Sequence, residues 1–268
     1  MRRNWPSGRD VGSTADHRMS WLGLDDKAVV IAGAGGIGSV CALGFAKAGA
    51  RVLVVDRAED RLQALDNDAQ FRARSMTLSL DVLEPGAGEE VVVRALSAFG
   101  RLDVAVHCIG TNDRRPVLEF TFGEWERVMQ TNLSSAFRLA QAAGRHMVEQ
   151  GHGRIVLLSS VSGLLAHQLH APYAASKGAM NQMMRVMAAE WASSGVTVNA
   201  VAPGYVETNL TAAYLEKPGV RERLVRLVPA GRLGTPEEVV GPILFLSSEH
   251  SRFVTGHVMY VDGGRTLV

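Results

Sequence analysis

Seven short apolar runs alternate with helix-forming segments along residues 26–268 of this chain. The runs are rich in Val, Ile and Leu and end in Gly, Pro, Ser or Asp, which is the pattern of buried strands. Strands separated by helices pair mostly in parallel, and a parallel sheet needs helices on both of its faces. The sequence therefore predicts an α/β fold, a single-domain, Rossmann-like, doubly wound parallel sheet of about seven strands.

The predicted elements leave no linker between residues 26 and 268. Strands are predicted at residues 27–32, 51–56, 73–82, 102–110, 153–160, 196–203 and 257–264. Helices are predicted at residues 39–49, 58–68, 89–100, 121–149, 172–193 and 236–248. Residues 209–230 are polar, broken by proline and weakly periodic, so we expect a mobile substrate lid there. Residues 1–25 lack an apolar signal-peptide core, and we expect a flexible N-terminal extension.

The composition excludes several kinds of partner. The 47% hydrophobic content supports a large core, and the net charge of +1 gives no sign of a nucleic-acid partner. No apolar run approaches the 18 or so residues of a membrane span, so we expect a cytoplasmic protein without a membrane contact. No Cys pair or His cluster has the spacing of a metal site, and none is predicted. The 28 Lys and Arg residues include only four Lys, but the arginines are scattered and predict no phosphate site.

A glycine-rich turn follows the first predicted strand and opens the first helix. It consists of Gly33, Ala34, Gly35, Gly36, Ile37 and Gly38. This G-x-G-x-x-G spacing permits close approach to a pyrophosphate, which the helix N-terminus attracts. The second strand ends in Asp56, close to the spacing expected for a carboxylate that binds an adenosine ribose. A carboxylate there repels a 2′-phosphate, although Arg57 could pair with one, so the sequence predicts NAD in preference to NADP.

A tyrosine and a lysine lie one turn apart on the helix that begins near Pro172. These residues, Tyr173 and Lys177, share a helix face, and Ser160 ends the preceding strand. A nearby ammonium favours the phenolate and lowers the pKa of Tyr173, which can then exchange a proton with an alcohol or ketone. The Ser160 hydroxyl can hydrogen-bond the same substrate oxygen. By itself the pair is a modest signal, because a core tyrosine and a solvated lysine would share its spacing.

Together, these motifs resemble those of the short-chain dehydrogenase/reductase family over residues 26–264. The resemblance implies that Tyr173 and Lys177 form the active-site motif, with Ser160 thirteen residues before the tyrosine. Asn132 falls at the family's fourth catalytic position, although its place inside a predicted helix would by itself favour solvent exposure. The resemblance implies further cofactor contacts at Asp81 and Val82 beside the adenine, at Lys177 on the nicotinamide ribose, and at Pro203, Gly204, Val206 and Thr208 on the carboxamide. It also implies a homotetramer with the helices near 121–149 and 172–193 at one interface.

The sequence departs from the family pattern in two places. The family's glycine motif is usually T-G-x-x-x-G-x-G, whereas this chain either has Ala32 at the first glycine or is one residue short. The usual Asn-Asn-Ala-Gly after the fourth strand is replaced by His107, Cys108, Ile109 and Gly110. We expect both changes to reshape or weaken the cofactor pocket, on which Cys108 and Gly110 would still lie.

The predicted function is NAD(H)-dependent interconversion of a secondary alcohol and a ketone, with Tyr173 as general acid and base. Two alternatives remain open. One is an NADP-dependent 3-oxoacyl-thioester reductase, and the other is a cofactor-binding regulator without catalysis, suggested by the altered glycine loop. The substrate cannot be identified from the sequence, but His167, Gln168 and His170 are expected to line its pocket.

Overall fold

In the computed structural model, which describes residues 20–268, one parallel sheet carries all seven strands. The strands are β1 (Ala28–Ala32), β2 (Arg51–Asp56), β3 (Met76–Ser79), β4 (Val104–His107), β5 (Gly153–Leu158), β6 (Val196–Pro203) and β7 (Val258–Val261). Their order across the sheet is β3-β2-β1-β4-β5-β6-β7, and every neighbouring pair is parallel. This confirms the predicted fold class.

The helices follow the predicted alternation, with three additions. They are α1 (Gly36–Lys47), α2 (Glu59–Asp66), α3 (Ala69–Arg72), α4 (Ala87–Phe99), α5 (Phe122–Met129), α6 (Ser135–Gln150), α7 (Ala171–Trp191), α8 (Asn209–Leu215), α9 (Val220–Arg226) and α10 (Pro236–Leu246). The single helix predicted over residues 121–149 is α5 and α6 joined by one π-helical turn, Gln130–Ser134. The helices α3, α8 and α9 were not predicted, because each is short and weakly periodic.

The core lies in two layers, one on each face of the sheet. Successive strand side chains point to opposite faces, so Val29 and Ile31 of β1 join one layer while Val30 and Ala32 join the other. The layer with Val30 packs against α4, α6 and α7, and the layer with Val29 packs against α1 and α10. Because both faces are covered, the strands read as continuous apolar runs in the sequence.

Of the extension predicted for residues 1–25, residues 1–19 lie outside the described part of the chain. The last residues of that segment belong to the packed fold: Leu22 and Leu24 are buried in the layer that contains α1. The Trp21 ring lies 5.0 Å from the His250 ring. Packing therefore begins before residue 26, because the two leucines cover apolar surface beside the first strand.

The order of the strands reverses between β1 and β4, and this reversal opens a crevice at their carboxyl ends. Gly33, at the end of β1, has a positive φ of +104°, a conformation that favours glycine. A Cβ at Gly38 would lie 1.9 Å from the Gly33 carbonyl oxygen, so the helix packs directly on the turn. The two glycines therefore bring the N-terminus of α1 into the crevice.

None of the helices between residues 20 and 268 combines the length and apolar character needed to cross a membrane.

The close contact of Gly38 with the turn predicts opposite effects for two glycine-to-alanine variants. Gly38→Ala should lower the free energy of unfolding by about 1–3 kcal/mol or more, because the added Cβ collides with the backbone. Gly241→Ala, on an exposed position of α10 where a Cβ meets no atom within 4 Å, should raise it by up to about 1 kcal/mol. Urea denaturation of both variants at one protein concentration tests this, and equal effects would contradict the packing argument.

Candidate active site

The sheet and α7 bring Ser160 and Tyr173 side by side. Ser160 follows β5 in an extended backbone conformation, and its hydroxyl accepts a hydrogen bond from the Ser162 amide at 3.1 Å. Tyr173 lies in the first turn of α7, which Pro172 helps to start. Ser160 and Tyr173 line the same two cavities, and the Ser160 hydroxyl lowers the pKa of the Tyr173 phenol. A hydroxyl and a phenol therefore meet at the carboxyl edge of the sheet, as predicted.

The pKa of Tyr173 differs from the expected direction. Burial raises this pKa above its ordinary value, while the Ser160 hydroxyl and the Arg114 guanidinium lower it less strongly. Lys177, which was expected to make the phenol acidic, does not lower this pKa; its Nζ donates to the Leu158 carbonyl at 2.6 Å. The phenol is thus protonated at neutral pH in this structure.

Lys177 is itself a buried charge. Only 3% of the residue is exposed, and burial lowers its pKa to about 8. The Nζ atom lies 5.8 Å from the centre of the Tyr173 ring. An ammonium has three donors, and one of them is committed to Leu158.

Asn132 lies in the π-helical turn between α5 and α6 and is fully buried. Its Oδ1 accepts from the Thr111 amide at 2.7 Å, and its Nδ2 donates to the Thr111 carbonyl and to Ser176 Oγ, both at 3.0 Å. The carboxamide therefore ties the loop after β4 to α7. A π turn inside a helix often marks a functional position, and here it points the amide inward rather than to solvent.

His107 replaces the first amide of the family's pattern and is fully buried at the end of β4. Its Nε2 lies 2.8 Å from Ser135 Oγ, and that hydroxyl donates to the Thr131 carbonyl at 2.6 Å. The imidazole therefore donates from Nε2. Burial and the Lys177 charge lower the pKa of His107 to about 3, so the ring is neutral. The substitution keeps a bracing hydrogen bond, now made to the start of α6.

Three neighbouring cavities lie at the carboxyl edge of the sheet. The glycine-loop cavity, of about 310 Å³, lies between the N-terminus of α1 and Lys177. The β2-edge cavity, also of about 310 Å³, lies at the ends of β2 and β3. The lid cavity, of about 330 Å³, lies beneath α8 and α9. Ser160 and Tyr173 line both the glycine-loop cavity and the lid cavity, so they stand where two binding spaces meet.

Nearly all residues predicted to bind the cofactor line the first two cavities. On the glycine-loop cavity lie Gly35, Gly36, Ile37, Cys108, Gly110, Tyr173, Lys177, Pro203, Gly204, Val206 and Thr208. On the β2-edge cavity lie Gly33, Gly35, Asp56, Arg57, Asp81, Val82, Cys108 and Gly110. Gly38 and Asn132 line none of the three cavities and act through packing and hydrogen bonds instead.

The glycine loop fits the phosphates of a dinucleotide. The amide of Ser39 bonds to the Gly35 carbonyl at 2.8 Å, so the amides of residues 36–38 in the first turn of α1 have no acceptor within the helix. These donors and the helix dipole favour an anion. A Cβ at Gly36 would lie 3.0 Å from Thr208 Cβ, which shows how closely the far wall approaches. Glycine therefore leaves the backbone open to a phosphate here.

Asp56 has a structural task as well as a place on the β2-edge cavity. Its carboxylate accepts from the Ala34 amide at 2.7 Å and from the Ala58 amide at 2.9 Å. Arg61, which the sequence analysis missed, lies 3.8 Å from the same carboxylate. Arg57 donates to Asp81 at 3.1 Å. The negative charges of two carboxylates and the positive charges of two guanidinium groups therefore cancel at this cavity.

The predicted lid is a pair of short helices that cover the lid cavity. They pack on a small apolar cluster that includes Leu215, Val220 and Leu224. His167, Gln168 and His170 line the cavity as expected. Five further residues on the same walls were not predicted from the sequence: Arg114, Tyr205, Tyr214, Arg223 and Arg265. Arg114 and Arg115 are adjacent in the sequence after β4, but the sequence alone does not distinguish them from the other scattered arginines.

Within residues 20–268, no group of three or more His, Cys, Asp or Glu side chains gathers as a metal-ion site would.

Comparisons with known proteins identify relatives along nearly the whole chain. Residues 31–266 match the family model described as Enoyl-(Acyl carrier protein) reductase. The chain is 39% identical over 251 residues to a tropinone reductase homolog from Arabidopsis thaliana, a match that covers 92% of this chain and 94% of the relative. It is 34% identical over 248 residues to a 3-oxoacyl-(acyl-carrier-protein) reductase from Escherichia coli, covering 92% of this chain and 100% of the relative.

A solved structure shares the fold closely. It is a gluconate 5-dehydrogenase from Burkholderia cenocepacia in complex with NADP and tartrate. The two superpose with a TM-score of 0.87 and are 35% identical, and the match covers 94% of this chain and 100% of the other.

The buried charge of Lys177 predicts a pH-dependent stability. Its pKa of about 8 lies below the ordinary 10.5. The free energy of unfolding therefore falls as the pH is lowered from 10.5 to 8, and it stays at the lower value below pH 8. The full effect is about 3 kcal/mol, because one pKa unit corresponds to about 1.36 kcal/mol. Lys177→Met should remove this dependence.

Urea denaturation of wild type and Lys177→Met without cofactor, at a series of pH values between 7 and 10.5, measures the difference. The exposed Lys217→Met is the matched control and should follow wild type throughout. A constant difference between wild type and Lys177→Met across this range would show that the ammonium is not desolvated.

Proposed function

The chain belongs to the short-chain dehydrogenase/reductase family, and on that premise we propose that it interconverts a secondary alcohol and a ketone using a nicotinamide dinucleotide. One observation supports this most directly. Ser160 and Tyr173 lie on the shared wall of a cavity suited to a dinucleotide and a second cavity under the lid. A proton donor at that junction can reach a substrate oxygen while the hydride carrier lies alongside.

The roles of the side chains follow from this junction. When bound in the glycine-loop cavity, the nicotinamide supplies or accepts a hydride. Tyr173 gives a proton to the carbonyl oxygen during ketone reduction and takes one from the alcohol during oxidation. Ser160 donates a hydrogen bond to the same oxygen and stabilises its developing charge. A phenol that is protonated at neutral pH is prepared for the reductive direction.

Lys177 and Asn132 act beside the reacting atoms. Lys177 has donors left after its bond to Leu158, and we assign them to the hydroxyl groups of the nicotinamide ribose. Asn132 positions Thr111 and α7 through its three hydrogen bonds. The homotetramer remains a prediction; the exposed apolar surface of Phe137 on α6 and Val186 on α7 supports an interface there.

Tyr173→Phe should abolish turnover while leaving the cofactor bound. Removing the acid should lower kcat by about 10²- to 10⁴-fold, since that is the usual contribution of a positioned proton donor. The affinity for NADH, measured by quenching of tryptophan fluorescence, should be unchanged. Tyr260→Phe, in β7 and away from the cavities, is the folding control. Turnover within tenfold of wild type in Tyr173→Phe would exclude the proposed role, and NADH binding without turnover in wild type would favour the regulator.

We propose NAD(H) as the preferred cofactor because of the charge at the end of β2. The Asp56 carboxylate lies on the β2-edge cavity, where it would accept hydrogen bonds from ribose hydroxyls and repel a 2′-phosphate. NADP(H) is the second candidate. Arg57 and Arg61 line the same cavity, and the related gluconate 5-dehydrogenase is in complex with NADP.

The conservative variant Asp56→Asn separates these candidates, because it removes the charge while the amide oxygen can still accept from one of the two backbone amides, Ala34 or Ala58. If Asp56 selects NADH, the ratio of kcat/KM for NADPH to that for NADH should rise about tenfold, which corresponds to about 1.4 kcal/mol. Arg57→Ala should lower use of NADPH alone. A wild-type preference for NADPH that Asp56→Asn leaves unchanged would establish the second candidate.

A further inference from the structure

The lid cavity carries positive charge without a compensating acid. Its walls contain three guanidinium groups, Arg114, Arg223 and Arg265, and no Asp or Glu of the described chain. The two histidines do not offset this charge and do not add to it. Burial lowers the pKa of His167, and burial with the Arg114 charge lowers the pKa of His170 to about 4, so both rings are neutral near pH 7.

Arg114 is the guanidinium best placed to hold an anion. Its Nε donates to His170 Nε2 at 3.0 Å, and its guanidinium carbon lies 4.2 Å from the centre of the Tyr214 ring. No carboxylate of residues 20–268 lies within 4.0 Å of it, whereas the adjacent Arg115 pairs with Asp113 and Glu124. Neither Nη atom of Arg114 donates a hydrogen bond within the described residues, so a fixed two-pronged donor faces the cavity.

The arginine is held in place by its neighbours. The Arg115 amide donates to the Leu169 carbonyl at 3.1 Å, which ties the arginine loop to the loop before α7. Leu169 has a positive φ of +66°, an uncommon conformation for a branched residue and one found where function fixes the backbone. Because His170 accepts from Arg114 at Nε2, its proton lies on Nδ1, a buried atom without a partner in the described structure. One side-chain and one backbone hydrogen bond therefore join the arginine loop to the loop before α7.

The position of Arg114 relative to the Tyr173 phenol limits the size of the substrate. His170, whose Nε2 accepts from Arg114 at 3.0 Å, has its ring centred 6.1 Å from the Tyr173 ring, and all three residues line the lid cavity. One small molecule in this cavity can therefore place an anion on Arg114 and a carbonyl at Tyr173. The cavity of about 330 Å³ is at the lower end of the range for ligand sites, so a long acyl chain does not suit it.

We propose that the substrate is a small oxo- or hydroxycarboxylic acid whose carboxylate pairs with Arg114. This rests on the proposed function and names its substrate class. In reduction, the hydride goes to the carbonyl carbon, the Tyr173 proton goes to the carbonyl oxygen, and the carbon–oxygen π bond breaks. The carboxylate stays ionised on Arg114 throughout and orients the carbonyl towards the phenol.

The test uses matched substrates on the full-length protein. A series of 2-, 3- and 4-oxocarboxylates is compared with the methyl ester of each and with oxoalkyl phosphates of similar length. For wild type, kcat/KM for the best acid should exceed that for its ester by about 100-fold, and Arg114→Met should remove that advantage. The ester should lose less than the acid, because it has no carboxylate to pair with Arg114. Arg94→Met, an exposed arginine of α4, is the control and should match wild type for both.

Binding keeps this test separate from the proposed chemistry. In Tyr173→Phe saturated with cofactor, calorimetry should still find the acid bound more tightly than its ester, and Tyr173→Phe/Arg114→Met should not. Equal loss of acid and ester in Arg114→Met would overturn the proposal, as would a preference for the ester or for the phosphate. If no ketone is reduced but the acid still binds through Arg114, the proposed function fails and the anion site stands.

Discussion

One hydrogen bond, from the Lys177 Nζ to the Leu158 carbonyl, joins α7 to the end of β5 inside the candidate site. Leu158 is the last residue of β5 and Lys177 lies in the second turn of α7, so the bond fixes the helix against the end of the strand. Ser160 is two residues beyond this strand end, and Tyr173 is one turn before the lysine. The same alignment places both residues on the wall of the glycine-loop cavity. The ammonium is desolvated to make this bond, which is why its pKa falls to about 8.

The sequence predicted what depends on local pattern and missed what depends on tertiary contact. Apolar periodicity located the strands, and the spacing of Gly33, Asp56, Tyr173 and Lys177 located the crevice. The raised pKa of Tyr173 could not be predicted, because it depends on how deeply the phenol is buried and on where the ammonium points. The helices α8 and α9 could not be predicted either, because they are stabilised by packing on a small cluster rather than by their own periodicity.

The residue that replaces the family's first asparagine after β4 makes its hydrogen bond to a different partner. Where an amide was expected after β4, the His107 ring donates to Ser135, and Asn132 supplies two bonds to the Thr111 backbone. The loop that carries Cys108 and Gly110 is thus braced from α6 and from the π turn. Both residues still line the glycine-loop cavity. The expected weakening of the pocket therefore does not follow from the loss of the amide alone.

The number of arginines in this chain does not predict an anion site, but the absence of an acidic partner at one of them within the described residues does. At the β2-edge cavity Arg57 and Arg61 face Asp81 and Asp56, whereas Arg114 has no acid within reach in the described chain. The unpaired cation also lowers the pKa of Tyr173. A carboxylate that binds Arg114 would cancel this influence and raise the pKa of the phenol further. The same cation would then recognise the acid and, through the bound carboxylate, influence the proton on Tyr173.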